Sequence, residues 1–245
     1  MSESNAFMTL HKGLLREAPG SDRSTLKAMT ATGLSGQITI ADMGCGPGAA
    51  ALLSLQAFPE AEVVAIDHHQ PYLDTLEARA HAAGLAARLE TRQANMAAPG
   101  LPPASLDLII CEGALYFLGV TEGLRQWAPL LRPGGHVIFS EAVWLANRPP
   151  EEARLFWMEY PAMTTMPGVE TRIAEAGFEL VADFLMPPED WQAYLGPLGT
   201  RAESLRPGAD DVMRRVIDGA EEEAKLFERH GDTYGYAYFV TRLAA

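Results

Sequence analysis

Gln37-Ile38-Thr39-Ile40-Ala41-Asp42-Met43-Gly44-Cys45-Gly46-Pro47-Gly48 is the stretch on which the reading of this chain turns. A short β-prone run ends at a carboxylate and meets three glycines spaced by two, and residues 49–58 are strongly helix-forming, so the order is strand, tight loop, helix. The glycines at 44, 46 and 48 let backbone approach a ligand closely and leave amides pointing at it from the start of the following helix. Taken alone, such a cluster is equally a plain tight turn, and only its surroundings give it meaning.

Working outward, residues 63–66 form an apolar run without polar alternation, closed by Asp67, as expected of a strand buried on both faces of a parallel sheet. Pro71 opens a helix carrying Leu73, Leu76 and Ala80 at helical spacing, and Gly84 ends it. Residues 87–93 and 106–111 read as strands, 121–131 as a helix, and Pro133-Gly134-Gly135 as a turn into a strand over 136–140. Strands alternating with helices mean right-handed βαβ units with helices on both faces of the sheet. The expected fold is α/β: a Rossmann-like doubly wound sheet, mostly parallel, with one antiparallel strand in a C-terminal hairpin.

Beyond residue 141 the rhythm changes. Pro149-Pro150-Glu151-Glu152 starts a helix through Tyr160, with acidic residues where the helix dipole favours them. A short helix over 171–176, a strand over 178–186 and a last strand over 234–240 follow. The insertion between those strands places Val212, Val216, Ala220, Ala224 and Phe227 on one face and stops at Gly231. The chain therefore divides, within a single domain, into an N-terminal helical lid (1–34), a ligand-binding βα core (35–141), a helix and sixth strand (142–186), a helical cap (187–231) and a last strand (232–245).

The 245 residues carry 19 Lys and Arg against 32 Asp and Glu, a net charge of −13. Neutralising a phosphate backbone needs clustered basic residues, so nucleic acid is an unpromising partner. No basic start with an apolar run opens the chain, and no stretch has the ~18 uninterrupted apolar residues of a membrane span. Two cysteines, Cys45 and Cys111, each in an apolar stretch, argue against a disulfide framework and fit a reducing compartment, so the expected location is the cytoplasm.

In an open α/β sheet, ligands bind outside the carboxyl ends of the strands where strand order reverses, so the loops after Asp42, Asp67, Gln93 and Cys111 should converge. Asp67 ends the second strand about twenty residues beyond the glycines, where a carboxylate accepts hydrogen bonds from both ribose hydroxyls. Asp42 narrows the nucleoside: a carboxylate there would repel a pyrophosphate but suits a ligand with an ammonium and a sulfonium group. That favours S-adenosylmethionine over NAD, although Asp42 also suits the bland role of capping local amides.

Asp42-Met43-Gly44-Cys45-Gly46-Pro47-Gly48, Asp67, Leu106-Asp107-Leu108-Ile109-Ile110 and Leu130-Leu131-Arg132-Pro133-Gly134-Gly135 together resemble the class I S-adenosylmethionine-dependent methyltransferases. The likeness is to the small-molecule branch similar to the ubiquinone/menaquinone biosynthesis type (type 11). Three further segments, His11 with Lys12 and Gly13 through Pro19-Gly20-Ser21-Asp22, Glu112-Gly113-Ala114, and Tyr234 with the residues to Tyr238, resemble a bacterial subgroup of that family. The resemblance implies that Asp42, Gly44 and Gly46 surround the methionine part of S-adenosyl-L-methionine, with Cys45 among the cofactor-binding residues, that Asp67 holds the ribose and that His68 flanks the adenosine. Where the family carries an acidic residue followed by an apolar one, this chain has Asn95-Met96; an amide oxygen and a thioether can still serve an adenine. Glu112 is placed at the methionine end and the acceptor pocket.

Methyl transfer is an in-line displacement at an electrophilic carbon, and a base is needed only for an acceptor that must lose a proton. The candidates are His11, Glu112, Tyr116 and Glu141; the carboxylates Glu112 and Glu141 suit an amine acceptor equally. His68, His69, His81 and His136 lack partners at metal-ligand spacing, so no metal site is expected. Cys45 reads as packing, and Glu221-Glu222-Glu223 as a solvated helical face. Trp144, Phe156, Trp157, Tyr160 and Met163 fit an aromatic acceptor pocket, but such a helix is more often core or a homodimer contact. Two other readings stay open: a nicotinamide-dependent oxidoreductase, which lacks a Tyr-x-x-x-Lys pair after the fourth strand, and a non-catalytic nucleoside-binding protein.

Overall fold

The computed structural model describes residues 2–244. Helix α1 (Glu3–His11) starts where the Ser2 hydroxyl accepts the Asn5 amide, and α2 (Asp22–Ala31) where Ser21 does the same for Ser24. The core follows as β1 (Thr39–Met43), α3 (Ala49–Ala57), β2 (Glu62–Asp67), α4 (Gln70–Ala82), β3 (Leu89–Gln93), β4 (Leu106–Glu112), α5 (Val120–Trp127) and β5 (Leu131–Trp144). The C-terminal part adds α6 (Glu151–Phe156), β6 (Thr164–Thr165), α7 (Met166–Glu175), β7 (Phe178–Leu185), α8 (Pro188–Leu205), α9 (Asp211–His230) and β8 (Tyr234–Leu243).

The sheet order is β3-β2-β1-β4-β5-β8-β7, with the short β6 paired to β5. Strands β1 to β5 are mutually parallel, and β8 runs antiparallel between β5 and β7. The chain steps outward from β1 to β3 and returns on the other side as β4. Strand order thus reverses between β1 and β4, and the crevice lies above their carboxyl ends.

Alternation along the strands splits the core into two layers. Ile40, Leu108, Ile110 and Ile138 face the side covered by α1, α3, α8 and α9. Ala41, Ile109, Cys111, Val137 and Phe139 face α5 and α7, with Trp127 fully buried beneath them. No helix of the described residues is long and apolar enough to cross a membrane.

Several boundaries differ from the sequence reading, each for a local reason. The helix expected over 121–131 ends at Trp127 and tightens into one 3-10 turn, Ala128–Leu130, because Pro129 has no amide for an α-helical bond. The helix expected at 171 begins at Met166, where the Thr165 hydroxyl accepts the Gly168 amide and a proline occupies the first turn. The helix expected to reach Tyr160 stops at Phe156 and gives way to a 3-10 turn, Trp157–Glu159. Strand β5 runs on to Trp144 because β8 pairs with it as far as Trp144 opposite Tyr234.

The acidic run on α9 is not a uniformly solvated face. Glu221 binds Arg206 at 2.6 Å and Glu222 binds Arg229 at 2.8 Å on the outside, whereas Glu223, one hundred degrees further round, turns inward and its carboxyl is pushed up to about 7 by burial. Helices α8 and α9 are held together by Trp191 stacked on Phe227, with ring centres 4.3 Å apart.

Candidate active site

The nine residues expected to hold a nucleoside cofactor, from Asp42 to Glu112, line one cleft of about 510 Å³, as does Tyr116. His11 and Glu141 do not line it. The floor is the loop after β1. Gly44 and Gly48 adopt φ of +71° and +84°, and a Cβ at Gly48 would lie 2.2 Å from Leu76 of α4, so side chains are excluded there by both conformation and space. Gly44 and Cys45 donate to the Ile66 carbonyl, which ties the loop to β2.

Asp67, at the tip of β2, accepts the Gly46 amide at 2.9 Å through one oxygen and the His69 amide at 2.8 Å through the other. It therefore shapes the glycine loop as well as facing the cleft, and each oxygen keeps a second lone pair. The His68 side chain is 83% exposed, with its Nδ1 3.5 Å from Asp67.

Asp42, at the tip of β1, is buried, and one of its oxygens has no hydrogen-bond partner. Burial, then the nearby Glu112, lifts its carboxyl well above the usual carboxylate range; the Ala51 amide and, more weakly, Arg16 oppose this. An acidic oxygen left without a donor at the head of a cleft calls for a cationic ligand, since the cost of an unpaired buried acceptor is then recovered. Cys45 is buried, and burial with Asp42 nearby pushes its thiol up, which leaves it an inert packing residue.

Asn95 departs from its simplest role: its side-chain oxygen accepts the Ala97 amide at 2.8 Å, forming a local turn. The adjacent Met96 carbonyl accepts the Trp127 indole at 2.9 Å, so the tip after β3 is fixed from the core.

Glu112 is neither a free base nor a surface carboxylate. One oxygen accepts Arg16 Nη1 at 2.7 Å; the other accepts the Thr25 hydroxyl at 2.6 Å and the Tyr238 hydroxyl at 2.7 Å. Burial alone would lower the Arg16 guanidinium, but Glu112 beside it reverses the effect and the group is held above its ordinary value. Through this knot, residues 15–19 form a strap along one wall of the cleft. The strap crosses so close to Gly113 that a Cβ there would lie 2.3 Å from the Ala18 Cβ. Arg16 and Tyr238 lie in segments that the resemblance picked out, yet no role was read for either or for Thr25, because their meeting on Glu112 joins stretches far apart in the chain.

The other candidate bases are also committed. His11 is buried, bonded through Nδ1 to Glu17 Oε2 at 2.6 Å and stacked on Phe7 at 3.9 Å. Tyr116 forms the cleft wall, and burial pushes its hydroxyl up to about 12. Glu141 on β5 is 2% exposed, with one oxygen unpartnered and its carboxyl pushed up to about 7 by burial. No group of three or more His, Cys, Asp or Glu among the described residues is arranged to hold a metal ion.

Comparison with known proteins shows what this geometry is similar to. Residues 40–135 match the family model described as methyltransferase domain. The methyltransferase cfoB of Aspergillus candidus is 31% identical over 109 residues, 44% of this chain and 32% of its own length. The trans-aconitate 2-methyltransferase of Streptomyces avermitilis is 32% identical over 101 residues, 41% of this chain and 37% of its own length. The match thus spans about a third of these curated relatives. A methyltransferase from Geobacter sulfurreducens, solved in complex with S-adenosyl-L-homocysteine, superposes with a TM-score of 0.84 over 97% of both chains at 18% identity. Residues 40–135 are thus similar to a methyltransferase domain, and the chain as a whole has the same fold as the Geobacter sulfurreducens protein.

Proposed function

We propose that this protein is an S-adenosyl-L-methionine-dependent methyltransferase that acts on a small-molecule acceptor by in-line transfer. The observation that carries the reading is the unpartnered oxygen of buried Asp42 beside a glycine loop that Asp67 holds open. Asp42 would take the ammonium group of the cofactor, Asp67 the ribose hydroxyls, and Met96 with the exposed His68 the two sides of the adenine. When bound, the cofactor supplies a methyl group already activated as a sulfonium, so the chain has only to position the acceptor and exclude water. The strap over Gly113 and the Tyr116 wall would perform that exclusion.

A nicotinamide dinucleotide fits less well, because its pyrophosphate would face Asp42 and Glu112 in a low-dielectric cleft. The test is transfer of labelled methyl from S-adenosylmethionine into a metabolite extract, with S-adenosylhomocysteine counted as the co-product. Label entering a small molecule supports the reading. A protein that binds the cofactor yet transfers nothing under these conditions is a binder, and the catalytic reading fails.

A further inference from the structure

The apolar part of the cleft has no place in the cofactor reading. Phe7 and Met8 from α1, Leu15 from the strap, and Tyr116 and Phe117 from the turn after β4 line the same cavity of about 510 Å³ as Asp42 and Asp67. Phe7, Leu15, Tyr116 and Phe117 also belong to the large apolar side chains left exposed on the described surface, Phe117 at 68% and Leu15 at 62%. Single exposed apolar side chains are ordinary, but several from three separate segments gathered on one concave site mark a surface for a ligand. The amino-acid and ribose ends of a nucleoside do not call for them, since those polar groups need acceptors such as Asp42 and Asp67.

These side chains are held from behind. Phe7 stacks on buried His11, ring centres 3.9 Å apart, and His11 is bound to Glu17 at 2.6 Å. Tyr116 and Phe117 lie against each other at 4.1 Å within one 3-10 turn, Leu115–Phe117, which the fully buried Leu115 pins to the core. Leu15 precedes Arg16, whose bond to Glu112 anchors the strap. A surface ordered in advance binds an apolar body without first losing the freedom of its own side chains.

Charge decides what that body can carry. Among the described residues that line the cleft, Arg16 is the one with a permanent positive charge, and its guanidinium is taken up by Glu112 at 2.7 Å and Asp22 at 2.9 Å. Against it stand the lining carboxylates Glu17, Asp42, Asp67 and Glu112. A carboxylate or phosphate on the occupant would be desolvated among like charges with no cation to receive it.

We propose that Phe7, Met8, Leu15, Tyr116 and Phe117 form the acceptor subsite and select a molecule with an apolar body and no anionic group. Calling the occupant an acceptor rests on the methyltransferase reading; the preference for an apolar, non-anionic body does not.

The test is titration calorimetry at about pH 7.5, where carboxylic acids are ionised, on the protein saturated with S-adenosylhomocysteine. The probes are 1-butanol, 1-hexanol and 1-octanol, each against the alkanoate of the same length. Dissociation constants of the alcohols should fall at least about threefold for every two methylenes added, and each alkanoate should bind at least about tenfold more weakly than its alcohol. Phe117→Ser and Leu15→Ser, both at exposed positions, should each weaken 1-octanol at least about threefold, whereas Val181→Ser, an exposed apolar residue of β7 outside the cleft, should leave it unchanged. No gain with chain length, alkanoates that match the alcohols, cleft variants that bind 1-octanol like the unaltered protein, or an equal loss in Val181→Ser overturns the proposal. Should a cleft variant fail to fold, the chain-length series and the alcohol–alkanoate contrast on the unaltered protein decide. Binding of S-adenosylhomocysteine is measured first; its absence sinks the cofactor reading, and the same series on the cofactor-free protein still decides the subsite.

Discussion

Arg16 and Glu112 stand 96 positions apart in the chain and meet at 2.7 Å beneath the strap that borders the cleft. Both side chains are nearly buried, at 12% and 11% exposure, so the pair is held by its further bonds to Asp22, Thr25 and Tyr238 rather than by charge in water. Removing the cation is expected to be the harsher change. Arg16→Met leaves the Glu112 charge without its cation next to Asp42 and should cost about 3 kcal/mol in denaturant unfolding, whereas Glu112→Gln keeps an acceptor oxygen for Arg16 and offers its new N–H groups to the Thr25 and Tyr238 hydroxyls, which can accept, and should cost roughly half as much. The reverse order would show that the strap is not anchored by this pair.

A second expectation concerns the glycine loop. Asp67→Asn retains one acceptor oxygen for two amides, Gly46 and His69, so the loop loses a charge-assisted bond and the proposed ribose site its anion. The dissociation constant for S-adenosylhomocysteine, measured by titration calorimetry, should rise roughly 10- to 100-fold with a modest fall in melting temperature. Unchanged affinity would put the ribose elsewhere.

The core was readable from sequence because its signals are local: an apolar run, a carboxylate and three glycines fix strand, loop and helix over a dozen residues. The same holds for Asp67 at the tip of β2. What was not legible depends on long-range meeting. Three segments with a shared likeness, around Pro19, Glu112 and Tyr238, gave no reason for their association until Arg16 and Tyr238 were seen on the two oxygens of Glu112. Glu223 was misread for a related reason. Three consecutive glutamates look alike in a sequence, and only the docking of α9 decides which of them faces inward.

Burial of Glu141 has a pH signature. Its folded-state value is raised from 4.5 to about 7 by burial, so its contribution to stability is complete below the unfolded value and is lost as pH rises through about 7. The groups that face it are Tyr160, Tyr116, Tyr236, Cys111 and Arg172. Glu141→Gln should therefore match the unaltered protein near pH 4 and become more stable by up to about 3 kcal/mol near pH 8. A stability difference that stays flat between those pH values would mean that Glu141 ionises freely in the fold.

The close passage of the strap over Gly113 predicts a paired effect. Gly113→Ala places a methyl 2.3 Å from the Ala18 Cβ at a φ of +63° and should loosen the strap, lowering both melting temperature and cofactor affinity. Adding Ala18→Gly relieves the clash but not the backbone strain, so part of the loss, and not all of it, should return. Simple additivity of the two changes would show that the segments do not press on each other.

The central claim is that the cleft above β1 and β2 takes a cationic sulfur nucleoside through Asp42. Titration calorimetry with S-adenosylmethionine, S-adenosylhomocysteine and NAD, on the unaltered protein and on Asp42→Asn, measures this directly. The account predicts one site for the two sulfur nucleosides, little heat with NAD, and at least about tenfold weaker binding of both sulfur compounds to the variant. Binding of NAD in preference to them, or an Asp42→Asn protein that binds them undiminished, would contradict it.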